Sequence, residues 1–160
     1  QEELYFRHGV KHGCKKNWFK SGYLSDVCQY VNGKKENKCT QWYFNGVIQK
    51  TCFYVNDKLS GLYETFHMNG QLKEQCHYTK GCLDGEYKSW HRNGTLRLRC
   101  SYAKGVLEGE YKTWHHENGQ LYEHTKYVNG KLEGQYKVWL IDGDLVDCCF
   151  YVNGVQKKTK

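Results

Sequence analysis

Proline is absent from this 160-residue chain, so its turns must be made by other residues, and 17 glycines are available for them. No apolar run approaches the ~20 residues that a membrane-spanning helix needs. The sequence starts at Gln1 and shows no recognisable signal peptide. These absences predict that the chain has no transmembrane segment and that its turns are made by glycine and asparagine.

The sequence repeats itself with a period of 24 residues. One column of equivalent positions contains tyrosine, at Tyr30, Tyr54, Tyr78, Tyr102, Tyr127 and Tyr151. A second column contains Trp18, Trp42, Phe66, Trp90, Trp114 and Trp139. Both columns step once by 25 rather than 24, because an extra residue lies among His115, His116 and Glu117. A period of this length is typical of a repeat array rather than a globule with one central site.

Two turn signals occur in each copy. Asn93-Gly94 and its equivalents form the first, and Lys104-Gly105 and its equivalents form the second. Asn-Gly between alternating stretches is a strong hairpin signal, because a two-residue turn there needs positive φ at both residues. Two turns per copy give two strands per copy. The sequence therefore predicts an all-β fold, an elongated single-layer antiparallel meander of six hairpins with about twelve strands.

The predicted organisation is a lead-in over residues 1–10, the repeat array over 11–155 and a basic tail over 156–160. The six copies are 11–34, 35–58, 59–82, 83–106, 107–131 and 132–155.

Alternation of side chains along each strand predicts two faces. A two-residue turn at Asn93-Gly94 implies the cross-strand pairs Tyr87 with Cys100, Ser89 with Leu98, and His91 with Leu96. The predicted apolar, partner-contacting face then contains Tyr63, Tyr87, Tyr111, Tyr136, Leu72, Leu96, Leu121, Leu145, Tyr78, Tyr102 and Tyr127. The opposite, aromatic and basic face contains Trp18, Trp42, Phe66, Trp90, Trp114, Trp139, Lys88, Arg97 and Arg99. A β-bulge would shift this assignment by one residue.

The unit Leu-x-Gly-x-Tyr-x-x-Trp-x-x-Asn-Gly-x-Leu resembles the variant MORN repeat, found in bacterial antitoxin-like proteins and in giant DNA viruses. Copies 59–82, 83–106, 107–131 and 132–155 match it well, and 11–34 is weaker. Copy 35–58 has Asn37 in the glycine position and Cys39 in the tyrosine position. The resemblance implies a hairpin-built scaffold that organises protein partners or, in some members, contacts anionic lipids. It implies no catalytic residues.

Five of the nine cysteines occupy one column, Cys28, Cys52, Cys76, Cys100 and Cys149, with Thr125 in the sixth place. Equivalent positions in successive hairpins lie two strands apart, roughly 9.5 Å. A disulfide needs Cα atoms within about 7 Å. The column is therefore predicted to consist of buried, reduced thiols in a reducing cytoplasm. Cys14, Cys39, Cys82 and Cys148 lie outside it, and two of these could pair between chains.

Metal binding and catalysis are not predicted. His67, His91 and His115 are in register, about 10 Å apart, which is too far for one zinc ion with Zn–N bonds of ~2.0–2.1 Å. No nucleophile, base and orienting group form an unrepeated cluster, and no phosphate-binding loop is visible. We expect no cofactor and no enzymatic activity.

Three functions remain open at this stage. The first is a structural scaffold that docks other protein subunits, or a second copy of itself, through its apolar face and open edge strands, with a virion or capsid-associated role if the source is viral. The second is peripheral binding to anionic membrane lipids, which the net charge of +7 permits. The third is an antitoxin-like neutralising partner. Nucleic acid is a less expected ligand, because aromatic rings ~10 Å apart do not match adjacent stacked bases.

Overall fold

The computed structural model describes residues 1–157, which contain β-strands and turns but no helix. The described residues therefore include no helix that could cross a membrane. The strands are β1 (Glu2–Glu3), β2 (Phe6–Arg7), β3 (Val10–Lys11), β4 (Gly13–Trp18), β5 (Leu24–Val31), β6 (Lys34–Trp42), β7 (Ile48–Val55), β8 (Lys58–Phe66), β9 (Leu72–Thr79), β10 (Cys82–Trp90), β11 (Leu96–Ala103), β12 (Val106–Leu107), β13 (Gly109–Trp114), β14 (Leu121–Val128), β15 (Lys131–Leu132), β16 (Gly134–Trp139), β17 (Leu145–Val152) and β18 (Val155–Lys157).

The chain divides into an N-terminal unit, Gln1–Cys82, and a C-terminal unit, Leu83–Lys160. In the N-terminal unit the strands pair in the order β1-β4-β5-β6-β7-β8-β9, and β2 and β3 form a small separate hairpin. In the C-terminal unit the order is β10-β11-β13-β14-β16-β17-β18, with β12 and β15 as short extensions beside β11 and β14. Every pairing is antiparallel and consecutive, which confirms the predicted all-β hairpin meander.

The first turn of each copy is wider than the sequence predicts. Only Gly94 takes a positive φ, 87°, while Asn93 does not. The His91 amide donates to the Thr95 carbonyl at 2.8 Å, and the Gly94 amide donates to the His91 carbonyl at 2.9 Å. The loop therefore contains three residues with a glycine bulge, a common alternative to the two-residue turn.

A second irregularity restores the register beyond this loop. Trp90, rather than His91, lies opposite Leu96, and a β-bulge follows before Ser89 pairs with Leu98. The wider loop shifts the pairing by one residue and the bulge, at Arg97, shifts it back. The predicted Ser89–Leu98 pair is confirmed, as is Tyr87–Cys100, whereas the His91–Leu96 pair is wrong.

The second turn has the tight geometry that the sequence predicted for the first. Lys104 and Gly105 take φ values of 51° and 86°, as both residues of a two-residue hairpin turn must. The Gly105 amide also donates to the Leu83 carbonyl at 2.7 Å, which ties the end of the copy to its start. Equivalent bonds tie the other second turns to their copies, and their donors are the backbone amides of Gly33, Asp57, Gly81, Gly130 and Gly154.

First turns are tied to the following copy by side chains. The Asn93 amide group donates to the His116 carbonyl at 3.0 Å, and the His91 Nε2 atom lies 3.3 Å from the Trp114 carbonyl oxygen. The N-terminal unit repeats this arrangement with Asn45, whose amide donates to the Met68 carbonyl at 3.1 Å. The turn asparagines are therefore required both by the turn and by the neighbouring hairpin.

A glycine within the first strand of most copies has a backbone role. Gly85 takes a φ of 97°, and a Cβ atom built there would meet nothing within 4 Å. Conformation rather than lack of space therefore demands glycine at this position. Asn37, which replaces glycine in copy 35–58, also takes a positive φ, 61°. Asparagine is among the few residues that tolerate this region.

Residues 1–7 occupy the place of the second strand of a preceding copy. Glu2 pairs with Asn17, just as Asp26 pairs with Gln41 in the next copy. The positive φ of His8, 50°, likewise corresponds to the second turn of a copy. Of the predicted basic tail over 156–160, residues 156 and 157 belong to β18, and the remainder lies outside the described residues.

Each unit has a core of small side chains on one face of its sheet. In the N-terminal unit Cys52 and Cys76 are buried, with exposed fractions of 0% and 3%. In the C-terminal unit Cys100 is 1% exposed and Ser89 and Thr125 are also buried, while Cys149 is only half-buried. Tyrosines pack over these side chains, which explains how a single-layer sheet can bury any residue completely.

The predicted reduced state is wrong for Cys28, which forms a disulfide with Cys39. Thiols in equivalent positions do lie two strands apart, but Cys39 stands directly opposite Cys28 on the adjacent strand. Their Cα atoms are 4.3 Å apart, a separation typical of facing residues in an antiparallel pair. The remaining seven cysteines are Cys14, Cys52, Cys76, Cys82, Cys100, Cys148 and Cys149, and all are free thiols.

Candidate functional site

The predicted apolar face, here called the tyrosine face, is largely covered by its own side chains. Tyrosines of adjacent strands pack edge to face, with ring centroids 5.5 Å apart for Tyr63–Tyr78 and 5.6 Å apart for Tyr111–Tyr127. The corresponding separations are 6.2 Å for Tyr87–Tyr102 and 6.1 Å for Tyr136–Tyr151. All of these tyrosines are half-buried, so they stabilise the sheet and leave little exposed apolar area.

Burial also affects the tyrosine hydroxyls. It raises the pKa of Tyr63 to about 12, with a smaller contribution from the Glu74 carboxylate. It likewise raises the pKa of Tyr136 to about 12, next to Glu123. These phenols therefore stay neutral at physiological pH.

The leucine column does not lie on the tyrosine face. Leu96 pairs with Trp90, and cross-strand partners share a face, so Leu96 lies on the opposite side from Ser89. The same register pairs Leu72 with Phe66, Leu121 with Trp114 and Leu145 with Trp139. Strict alternation of side chains would leave these leucines on the tyrosine face, and the bulge moves them to the opposite face.

Arg97 lies on the tyrosine face, although it was predicted to lie on the opposite face. Its Nε atom donates to the Ser89 hydroxyl at 3.2 Å, which places the guanidinium on the tyrosine face. The predicted face assignments of Arg97 and of the leucines are therefore wrong, because both were derived without the bulge. Trp90, Lys88 and Arg99 lie on the face predicted for them, here called the tryptophan face.

Basic side chains form a continuous row on the tryptophan face of the C-terminal unit. Register pairs join Lys88 to Arg99, Arg99 to Lys112, Lys112 to His124 and His124 to Lys137. Facing residues in antiparallel strands lie about 4.5–5.5 Å apart, where like charges repel one another. The sequence therefore holds Lys88, Arg99 and Lys112 together on adjacent strands at a cost in stability.

Two glutamates partly neutralise this basic row. Glu86 forms ion pairs of 2.5 Å with both Lys88 and Arg99, and the hydrogen bond from Lys88 is the main cause of its lowered pKa. Glu110 pairs with Lys112 at 3.2 Å and with His124. Although burial opposes it, hydrogen bonding from His124 holds the pKa of Glu110 below its usual value.

A depression of about 310 Å³ lies between the two glutamates, lined by Glu86, Arg99, Cys100, Ser101, Glu110 and Lys112. Lys137, at the end of the basic row, has no acidic partner within 4 Å among residues 1–157. Three lysines and one arginine against two carboxylates leave the row with an excess of positive charge. The arrangement can attract an anionic surface or group.

The N-terminal unit lacks this basic row. Its equivalent positions, joined by the same register, are Lys16, Val27, Thr40, Thr51, Glu64 and Gln75. They contain one base and one acid, so the basic row is a property of the C-terminal unit and not of the repeat.

A second candidate surface is the last hairpin, which exposes several apolar side chains. Leu145 and Val146 are 51% and 54% exposed, and Phe150 is 43% exposed. Leu140 and Ile141, in the turn of the same hairpin, are also exposed. Neighbouring exposed apolar residues of this kind often mark an interaction site.

A family model described as the MORN repeat variant matches residues 35–56, 59–80 and 83–104. Three consecutive repeats of this chain, between residues 35 and 104, belong to the variant MORN-repeat family. The match includes copy 35–58, whose departures from the pattern are accommodated because Asn37 keeps the backbone conformation of glycine. No curated protein matched the sequence.

The MORN repeats contain no cluster of three or more histidine, cysteine or acidic residues arranged to hold a metal ion within residues 1–157. Sequence reasoning placed Glu86 with Lys88 and Arg99 but missed Glu110 and His124 as parts of the same surface. The signal was present, since correct strand register places all of these residues in two adjacent rows.

Proposed function

We propose that this MORN-repeat protein is a non-enzymatic scaffold that docks protein subunits, including a second copy of itself, through its last hairpin. The exposed apolar residues Leu145 and Phe150, which the register places on one face of the hairpin, carry this proposal together with Leu140 and Ile141 in its turn. The tyrosine face, which the sequence favoured as the contact surface, is a weaker candidate because its rings are packed against one another.

The hydrogen bonds between copies support a scaffolding role. His115 Nε2 lies 3.0 Å from the Trp139 carbonyl oxygen, and the Asn118 amide donates to the Ile141 carbonyl at 2.6 Å. These contacts fix the turn of the last hairpin against the preceding copy. A surface that is already ordered loses less conformational entropy when a partner binds.

Replacing Phe150 by glutamate tests the docking surface. We expect the purified wild-type chain to form a dimer or larger assembly, and Phe150→Glu to shift it to monomer, because a charge would have to be buried at the contact. Light scattering coupled to size-exclusion chromatography measures the change. Phe44→Glu is the matched control, since Phe44 is 65% exposed in another copy. Equal masses for all three proteins, each monomeric, would argue against self-docking.

A second candidate function, binding to anionic membrane surfaces, is favoured by the basic row. Trp90, Trp114 and Trp139 lie beside this row on the tryptophan face, together with their partner leucines. Aromatic and aliphatic groups next to lysine and arginine are typical of proteins that bind at a lipid headgroup boundary. The proposed ligand is a surface of acidic headgroups rather than a single small molecule.

Vesicles that contain phosphatidylserine test this second function. Each lysine near an anionic surface contributes about 1 kcal/mol, so Lys112→Gln combined with Lys137→Gln should weaken binding about 10- to 30-fold. Raising the salt concentration should weaken wild-type binding as well. Lys34→Gln with Lys58→Gln removes equal charge from the first residues of β6 and β8 in the N-terminal unit and should have a smaller effect. Equal losses in both double variants would mean that net charge, not the basic row, drives binding.

The more specific roles remain proposals that rest on resemblance. A virion or capsid-associated role would require a viral source, and an antitoxin-like role would require tight pairing with a toxin. A reducing cytoplasmic location and the absence of enzymatic activity are likewise predictions. Nucleic acid remains the less expected ligand.

A further inference from the structure

Three cysteines form one row across adjacent strands of the N-terminal unit. Cys28 on β5 faces Cys39 on β6, and Cys39 faces Cys52 on β7. The row exists because Cys39 replaces the tyrosine of other copies. In the next copy Tyr63 occupies that position and separates Cys52 from Cys76. Cys28, Cys39 and Cys52 are all buried, with exposed fractions of 6%, 2% and 0%.

Cys39 is close enough to bond with either neighbour. Its Cα atom lies 4.3 Å from that of Cys28, as in the closer type of antiparallel residue pair. Because close and wide pairs alternate on the two sides of a strand, its separation from Cys52 is about 5.5 Å. Disulfides span Cα separations of about 4.4–6.8 Å. Cys28 and Cys52 lie two strands apart, about 10 Å, and cannot bond to each other.

We propose that this row is a thiol–disulfide exchange site in which Cys39 shares its disulfide alternately with Cys28 and Cys52. The Cys52 thiolate attacks Cys39 Sγ, a Cys39–Cys52 bond forms, and the Cys28–Cys39 bond breaks with Cys28 leaving as thiolate. The proton lost by Cys52 is regained by Cys28 through solvent. One disulfide and one thiol exist before and after the step, so no external oxidant or reductant takes part.

Strand order supplies the geometry for this attack. Displacement at a disulfide sulfur requires the incoming thiolate to approach opposite the leaving sulfur. The order β5-β6-β7 places Cys52 and Cys28 on opposite sides of Cys39. The exchange therefore needs side-chain rotation but no change in strand pairing.

The surrounding side chains restrict the exchange to these three residues. Tyr30, Tyr54, Leu59 and Tyr63 pack against the row and keep external thiols from reaching it. Burial also raises the pKa of the Cys52 thiol, which lowers the thiolate fraction at neutral pH. Exchange should therefore be slow near pH 7 and accelerate about tenfold per pH unit while the thiol remains mostly protonated.

Disulfide mapping by mass spectrometry tests the proposal. Wild-type protein held at alkaline pH, then acid-quenched and alkylated, should yield a Cys39–Cys52 linked peptide in addition to Cys28–Cys39. Finding Cys28–Cys39 alone after prolonged incubation, in protein whose circular dichroism stays native, would overturn the exchange. This arm uses the unaltered chain and does not depend on how a variant folds.

Variants assign the shared partner. When the variants are refolded from the reduced, unfolded state with oxidised glutathione, Cys28→Ser should form Cys39–Cys52, and Cys52→Ser should form Cys28–Cys39. Cys39→Tyr, which restores the residue of other copies, should leave Cys28 and Cys52 unlinked. A folded Cys28→Ser protein in which both thiols remain open to alkylation, under conditions that oxidise Cys52→Ser, would also overturn the proposal.

Discussion

The free energy of unfolding of each unit is expected to fall steeply as the pH rises above 9, the ordinary pKa of a cysteine thiol. Burial raises the pKa of Cys76, in the N-terminal unit, to about 12 and that of Cys100, in the C-terminal unit, to about 11. Above pH 9 the unfolded chain releases these protons while the folded chain retains them. Each thiol therefore lowers stability by about 1.4 kcal/mol per pH unit in that window.

Tyrosines extend the effect at higher pH. Tyr63 and Tyr136 have their pKa values raised to about 12 from 10, so their contribution begins one pH unit above that of the thiols. Both are partly exposed, and solvent reduces the energetic effect of their shifts. The free energy of unfolding should thus fall more steeply with pH once the tyrosines contribute as well as the thiols.

Urea denaturation followed by circular dichroism at a series of pH values measures this dependence. A phosphine reductant in excess keeps every cysteine reduced, so that disulfide exchange does not contribute. The combined Cys76→Ala and Cys100→Ala variant should lose stability less steeply above pH 9 than the wild type. Cys82→Ala, which removes an exposed cysteine, should follow the wild-type curve. Parallel curves for all three proteins would show that the buried thiols do not control alkaline stability.

Replacing Gly85 by valine should destabilise the C-terminal unit by about 2–3 kcal/mol. Gly85 takes a φ of 97°, which a β-branched residue adopts only under strain. No heavy atom lies within 4 Å of the Cβ position, so the loss would come from the backbone alone. Urea denaturation of the variant and the wild type measures it.

Asparagine provides the matched substitution at this site. Asn37 takes a φ of 61° in the equivalent position of another copy, so Gly85→Asn should cost clearly less than Gly85→Val. Both variants add a side chain to the same open space, and they differ mainly in backbone preference. Equal stabilities for the two variants would contradict a conformational role for this glycine.

The repeat period predicted the fold because every copy states the same pattern of turns and alternation. The Tyr87–Cys100 pair was predictable even though the assumed turn was wrong, since the wider loop and the β-bulge shift the register in opposite directions. Only residues between the two irregularities, among them Leu96, were assigned to the wrong face. Neither irregularity has a sequence signal as clear as Asn-Gly.

The surfaces were less predictable than the strands. The basic row extends over five different strands, so it depends on the register between copies as well as on the register within one hairpin. The disulfide was missed because Cys39 was treated as a departure from the pattern rather than as the cross-strand neighbour of Cys28. A repeat pattern describes what the copies share, whereas the basic row and the disulfide arise where one copy differs from another.

The single inserted residue in copy 107–131 shows how this architecture tolerates changes in length. The loop widens there, with the His115 amide donating to the Gln120 carbonyl at 2.8 Å, and Tyr111 still faces Thr125 beyond it. Small insertions are absorbed at hairpin tips, while in-frame duplication of a whole copy would reproduce each bond to its neighbours. Descendants of such a gene can therefore vary the reach of the protein in uniform steps without redesigning any contact.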